Sequence, residues 1–328
     1  MPPPVRRLGL VLTCVALLSF ALAGAALAGN GGFAPPAPAD PNENGIRTVY
    51  WLILAVTGGI FVLVEAALFL FIVRYRSRGR PREIEGPQIR GHTNLELGWT
   101  VAPVVLLAVI AGFVFWKAGA IRNAPAAGAT GPETIQIEGH QFYWEFVYPN
   151  GAISVDTMRV PYRRKIQLEI SSPDVAHSWW VPALGGKLDA IPGRVNTTSF
   201  RPTRLGTFRG QCAEFCGIQH AAMRSRVQVL PANEYDAWVR QRRVSPSEVG
   251  RETFEGVCAK CHGLSGLGSI GPAIAQSPLL SDREALTTLL RQGGVKMPAV
   301  GKTWSNEQLD ATIEYLRKRF KAGGGSGS

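Results

Sequence analysis

Two long apolar runs dominate the first third of the chain. Val49 to Val73 is broken only by Glu65 and a few small polar groups. At about 1.5 Å per helical residue it is long enough to cross a hydrocarbon layer of about 30 Å. Trp99 to Trp116 is a second run with a tryptophan at each end, where interfacial anchors belong, and Pro103 inside it predicts a kink. Between the runs, Arg74, Arg76, Arg78, Arg80, Arg82 and Arg90 face only Glu83 and Glu85. An arginine-rich loop beside a span stays cytoplasmic. A pair of buried core helices would not call for such a loop. Residues 1–28 carry Arg6 and Arg7, an apolar stretch from Leu8 to Leu22, and Ala26-Leu27-Ala28 before Gly29. This is the pattern of a signal peptide cut after Ala28, the alternative being a retained anchor. The expected plan is therefore a lead at 29–48 with no core to bury, spans at 49–73 and 95–117, a cytoplasmic loop at 74–94, and both termini outside.

Beyond a linker at 118–132 the period changes. Glu133 to Tyr148, Lys165 to Ser171, Arg194 to Phe200, Thr207 to Gln211 and Met223 to Leu230 are short, rich in Ile, Val, Thr and aromatics, and separated by Pro and Gly turns. They predict an antiparallel β-sandwich or barrel over 133–231. A short helix and linker follow at 232–245. The segment 246–320 reads as a small all-α domain. Ser245-Pro-Ser-Glu248, Ser281-Asp-Arg-Glu284 and Ser305-Asn-Glu-Gln308 are capping-box patterns, and Leu309, Ile313, Leu316 and Phe320 form one apolar stripe. Two glycine-containing loops, 263–272 and 293–303, leave this domain short of core. Residues 321–328 are a Gly/Ser tail.

Composition narrows the class. Of the 328 residues, 46% are hydrophobic and 18% charged, which excludes a disordered chain. The net charge of +11 could signal nucleic acid. Much of the excess, however, is arginine beside a span, and no nucleic-acid fold is visible, so lipid is the expected partner and nucleic acid is not. Cys14 lies in the signal segment. The other four cysteines form two tight pairs, Cys212/Cys216 and Cys258/Cys261, with cofactor spacing rather than the scatter of a disulfide framework.

The first pair sits in Gln211-Cys212-Ala-Glu214-Phe-Cys216-Gly-Ile-Gln-His220-Ala-Ala-Met223, with His177 upstream in Asp174-Val-Ala-His177-Ser-Trp-Trp. Two thiolates, two imidazoles and a thioether are a soft donor set that favours copper over Mg or Ca. With a loop carbonyl there are six candidate donors, too many for one tetrahedral ion, whereas two bridging thiolates can hold two coppers. A structural zinc or a Cys212–Cys216 disulfide is the alternative. The second pair sits in Cys258-Ala-Lys-Cys261-His262, the attachment motif of covalent c-type haem. A thioredoxin-like reading needs a βαβ context that is absent from the pattern. Met297, the sole methionine of this domain, is the expected distal ligand, unless it is a core residue. Haem would supply the missing core.

Residues 49–230 resemble subunit II of the haem–copper oxidases. The resemblance is carried by Gly139-His-Gln-Phe-Tyr-Trp144, His177-Ser-Trp-Trp-Val-Pro182, Asp189-Ala-Ile-Pro-Gly-Arg194 and the Cys212–Met223 loop. Residues 246–320 resemble a class I cytochrome c, with Gly250 and Phe254 before the haem motif and Gly271-Pro272 after it. The fusion is the pattern of caa3-type cytochrome c oxidases. The resemblance implies a two-helix transmembrane hairpin, an all-β cupredoxin sandwich and a small all-α cytochrome c domain, in the bacterial inner membrane with both soluble domains outside. It implies a binuclear copper centre (CuA) bridged by Cys212 and Cys216 and completed by His177, His220, Met223 and the Glu214 carbonyl. The Glu214 carboxylate resembles a ligand to Mg at a subunit interface. Cys258, Cys261, His262 and Met297 would hold haem c.

The implied path runs from a cytochrome c or another reduced donor to haem c, then CuA, then haem a of subunit I. That subunit, with haem a3 and CuB, would reduce oxygen and pump protons, and subunit III would be a further partner. No catalytic residue is expected in this chain, although Glu96 in Asn94-Leu-Glu-Leu-Gly-Trp-Thr100 resembles the glutamate at a proton-pathway mouth. Phe142 stands where the family has the tryptophan that receives electrons, so that role is not carried over, and Trp144 reads as core. Glu65 is an intramembrane acid without an assigned role. Two other functions share these motifs: a CuA/haem c subunit of a nitric oxide reductase, and a free-standing membrane-anchored electron carrier or redox sensor.

Overall fold

The computed structural model describes residues 35–76, 86, 88, 90–122, 133–243 and 245–321. The expected signal peptide with Cys14, the arginines at 78, 80 and 82, most of the linker, and the Gly/Ser tail lie outside them. The chain divides into two bodies, one of residues 44–125 and one holding the rest.

The first body contains α2 (Thr93–Arg122) and all but the first three residues of α1 (Pro41–Tyr75). α1 begins well before its apolar run, because Asp40 accepts the Asn42 N–H at 2.7 Å and so satisfies a free donor of the first turn. α2 stays helical through Pro103. Phe61, Leu63, Phe69, Ile72, Leu107 and Phe115 all stand exposed. An all-round apolar surface is stable only when lipid covers it, since each helix already satisfies its own backbone.

The second body starts with the β domain. One sheet orders its strands β3-β2-β1-β5-β8 and the other β4-β10-β9-β6-β7. These are β1 (Glu133–His140), β2 (Tyr143–Val147), β3 (Ile153–Val155), β4 (Thr157–Pro161), β5 (Ile166–Ser171), β6 (His177–Trp180), β7 (Leu188–Ala190), β8 (Asn196–Phe200), β9 (Gly206–Cys212) and β10 (Arg224–Leu230). The expected antiparallel plan is corrected: β1 pairs β5 in parallel, and so do β10 and β4. The register sets Ile135 beside Leu168 and Ile137 beside Ile170, all fully buried, while Gln167 and Glu169 point away from the core. Strands β3, β4, β6 and β7 escape the sequence pattern because three to five residues give too few alternations to read. The lead is also corrected. Ala39 is fully buried in the sandwich core, and its N–H donates to the Ala183 carbonyl at 2.7 Å.

Helix α3 (Ala232–Arg243) leads to the α domain, which contains α4 (Pro246–Thr253), a π-helical turn (Phe254–Cys258), α5 (Ala259–His262), α6 (Arg283–Gln292) and α7 (Asn306–Leu316). Leu309, Ile313, Leu316 and Phe320 are buried, as the stripe requires. α4 crosses α7 at Gly250, where a β-carbon would collide with the Ala311 carbonyl. Two caps differ from expectation. Ser245 stands at the N-cap of α4, with Pro246 as the first helical residue, but makes no side-chain cap bond, and Asp282 rather than Ser281 caps α6 by accepting the Ala285 N–H at 3.0 Å. Aspartate prevails because it is the residue in extended backbone just before the first helical turn.

The α domain is docked on the β domain. Tyr143 and Val155 belong to the α-domain core, with Phe254, Trp304 and Leu309. Trp304 Nε1 donates to the Tyr143 hydroxyl at 2.8 Å. Glu252, on α4, accepts from buried Arg242 at 2.7 Å and from Arg159 of β4 at 3.3 Å. Removing one partner of such a buried pair typically costs about 3–5 kcal/mol.

Candidate metal and cofactor centres

Strand pairing builds the first centre. β6 pairs β9 with Trp179 opposite Cys212, which lays His177 beside the start of the cysteine loop. The 3-10 turn His220–Ala222 then swings His220 back, and Met223 returns the chain to the core. The Cys212 and Cys216 sulfurs lie 3.9 Å apart. His177 Nδ1 is 3.9 Å from the first sulfur, and His220 Nδ1 is 3.6 Å from the second. Met223 Sδ is 3.7 Å from Cys216 Sγ, and the Glu214 carbonyl is 3.2 Å from Cys212 Sγ. The structure thus brings together all six donors named from the sequence, and Cys212 and Cys216 are free thiols.

The surroundings are fitted to this donor set. His177 is fully buried, and its Nε2 lies 2.8 Å from Asp174 Oδ1, which leaves Nδ1 directed at the sulfur. Burial works to raise the Asp174 pKa, but the His177 hydrogen bond and the backbone N–H groups of Gln141 and Val175 outweigh it and hold the carboxyl at about 2. A charged carboxylate behind a ligand imidazole fixes its tautomer and ring orientation. Gly139 lies under the same ring: a β-carbon there would come within 3.0 Å of His177 Cδ2 and of Trp144 Cζ3. The thiol pair gives up its first proton readily, helped against burial by His177. The second is held by burial and by the neighbouring sulfur charge. Two soft cations would neutralise both sulfurs. The Glu214 carboxylate points elsewhere, 3.7 Å from Lys187 Nζ.

The second centre lies on the end of the π-helical turn, on α5 and on the loops around them. Cys258 is buried, which pushes its thiol up to about 12, and Cys261 is half-buried. His262 Nδ1 lies 2.6 Å from the Pro272 carbonyl, an arrangement that commits Nδ1–H to the backbone and frees Nε2 as a ligand. Met297 packs against the domain core from the other loop. Leu264, Leu267, Ile270 and Val295 stand open to solvent on these two loops. A large apolar cofactor bound there would cover side chains that the polypeptide leaves bare, so the residues fit haem.

A third cluster was not foreseen. Glu138, His140 and Glu145 have donor atoms within 4.8 Å of one another. His140 Nε2 is 3.3 Å from Glu138 Oε2, and Glu145 Oε2 accepts from Gln308 Nε2 of α7 at 2.7 Å. This charge and hydrogen-bond network joins β1 and β2 to the α domain. Asp174 was also missed as an orienting group, although an acid three residues before a ligand histidine was a readable signal. Of the other flagged residues, Trp144 is fully buried in the sandwich core and Phe142 is packed at its edge. Glu96 accepts the His92 N–H at 3.0 Å, closing the start of α2, and Glu65 is exposed on α1.

Three family models match the chain. Cytochrome C oxidase subunit II, transmembrane domain, covers residues 29–116, and cytochrome C oxidase subunit II, periplasmic domain, covers 152–230. Cytochrome C oxidase, cbb3-type, subunit III covers 246–316. Cytochrome c oxidase subunit 2 of Alkalihalophilus pseudofirmus is 33% identical, in an alignment that covers 85% of this chain and 89% of the relative. The protein of the same name from Bacillus sp. PS3 is 28% identical, over 74% of this chain and 78% of its own. Among solved structures, the periplasmic domain of subunit II of cytochrome oxidase from Bradyrhizobium japonicum is 32% identical, with a TM-score of 0.34, covering 36% of this chain and 99% of that one. With two apolar helices of spanning length and a match to a periplasmic domain, the chain is a two-span membrane protein whose soluble domains lie outside the cytoplasm.

Proposed function

We propose that this chain, which belongs to the cytochrome c oxidase subunit 2 family, is the electron-receiving subunit of a caa3-type oxidase. As a subunit II homologue it is part of an oxidoreductase complex and has an electron-transfer role. The finer reading is that electrons from a reduced donor pass through haem c and CuA to haem a of subunit I, where oxygen is reduced with proton pumping. The observation that carries it is the meeting of two thiol sulfurs, two imidazole nitrogens and a thioether within one loop and its neighbouring strand.

Bound copper and haem would supply one-electron chemistry; everything else falls to the polypeptide. Cys212, Cys216, His177, His220, Met223 and the Glu214 carbonyl are the groups that would hold the copper pair. Asp174 and Gly139 fix the His177 ring, so that little reorganises when charge changes. Cys258, Cys261, His262 and Met297 are the residues that would hold haem c. The buried sandwich side of the copper site excludes water. Phe215 and Ile218, 77% and 92% exposed on the copper loop, suit contact with another oxidase subunit. In this reading Glu214 reaches a Mg ion only where subunit I draws it from Lys187, and Glu96 stands at a proton-pathway mouth on the cytoplasmic side.

The test is purification from the native membrane in mild detergent, with reduced-minus-oxidised spectra and oxygen uptake. Haem a together with haem c, and cyanide-sensitive uptake, are expected. Haem c and CuA alone, without uptake, would instead mark a free carrier, and haem b with nitric oxide consumption would mark a reductase of that gas.

A further inference from the structure

The haem-attachment helix and the copper loop meet side by side. Gln219 Nε2 donates to Cys261 Sγ at 3.0 Å, and Gln219 immediately precedes His220. A second set of contacts leaves the neighbouring residue of the haem motif. Lys260 Nζ donates to the Phe142 carbonyl at 2.8 Å and to Asp156 Oδ2 at 2.6 Å. Gln141, bonded to Phe142, donates from Nε2 to the Cys216 carbonyl at 2.6 Å. Adjacent residues of the haem motif are thereby joined to the backbone of two copper-ligand positions.

We infer that Gln219 couples the two centres: its side-chain amide links the haem-anchoring sulfur of Cys261 to the chain of the copper ligand His220. The inference rests on the function proposed above. Electrons tunnel far better along covalent and hydrogen bonds than across gaps. From Cys261 Sγ the route crosses one hydrogen bond, then runs through the Gln219 side chain and one peptide bond to His220. A sulfur accepts an N–H as a thiol or as a thioether, so attachment leaves Cys261 able to accept from Gln219. With both groups bound, the reduced haem would give up one electron and the copper pair would take up one; no covalent bond would break and the Gln219 amide would be unchanged. Docking does not depend on this residue. Tyr143–Trp304, Arg242–Glu252, Lys260–Asp156 and Gln308–Glu145 hold the domains together independently.

The experiment uses the full chain, loaded with haem and copper, in detergent. Absorbance of haem c and the near-infrared band of CuA first establish occupancy. Absence of either from the wild-type chain would sink the functional reading itself, and with it the inference. Gln219→Met then keeps the length and removes the donor. Gln308→Leu serves as a control that removes an interface hydrogen bond of the third cluster. After fast reduction of haem c, electron arrival at CuA should slow by about tenfold or more in Gln219→Met and stay near wild type in Gln308→Leu. The haem c midpoint potential should also fall in Gln219→Met, because an N–H on the sulfur draws charge from the haem. With both bands intact, an unchanged rate and potential would overturn the inference, as would equal slowing in Gln308→Leu.

Discussion

Single residues decide how well the candidate copper donors are aimed. Gly139 is the sharpest case, since its missing β-carbon is the space occupied by the edges of His177 and Trp144. Gly139→Ala should cost about 1–3 kcal/mol of stability through overpacking. It should also lower copper content and weaken the near-infrared CuA band while circular dichroism stays native; full copper loading would refute the role. The donors themselves were legible because their spacing is local: two cysteines, a histidine and a methionine lie within twelve residues, Cys212 to Met223. The groups that orient them were less so. Asp174 acts through His177, and Gln219 and Lys260 act on partners that no local pattern announces.

At the scale of elements, helix ends were read well in kind and loosely in position. Ser305 caps α7 by accepting the Gln308 N–H at 3.1 Å, yet the Gln308 side chain does not complete the box. It reaches across to Glu145 on β2 instead, a tertiary contact that outbids the local one. Glu145 makes the junction pH-sensitive. Burial raises its pKa above 4.5, against the opposing influence of His140 and of the Gln308 hydrogen bond. The native state therefore binds the proton more tightly than the unfolded chain does. That contribution is complete below about pH 4.5 and is lost as pH climbs through the raised value. Glu145→Gln keeps a neutral amide in place, so its melting temperature minus that of wild type should grow more positive as pH rises above 4.5. A difference that shrinks over the same range would contradict this account.

For the whole molecule, the governing fact is that the α domain borrows Tyr143 and Val155 for its core. The three-part plan was visible in the sequence because apolar length, strand period and helical period differ so plainly. The docking was invisible because its contacts join residues far apart in the chain, such as Tyr143 with Trp304 and Lys260 with Asp156. A protease site placed at the 244–245 connector should yield two fragments that still elute together in mild detergent, since the join is a shared interior and not a leash. Separate elution would show that covalent linkage alone, acting through effective concentration, keeps them close.

Phe215 and Ile218 have a consequence of another kind. The loop proposed to collect metal is also the loop that carries bare apolar side chains, one on each side of Cys216. A newly exported chain therefore displays an adhesive crest until something covers it. Loading and assembly would then fall on neighbouring side chains of one loop, so a cell making this subunit faster than its partners should accumulate it as aggregate rather than as a waiting pool.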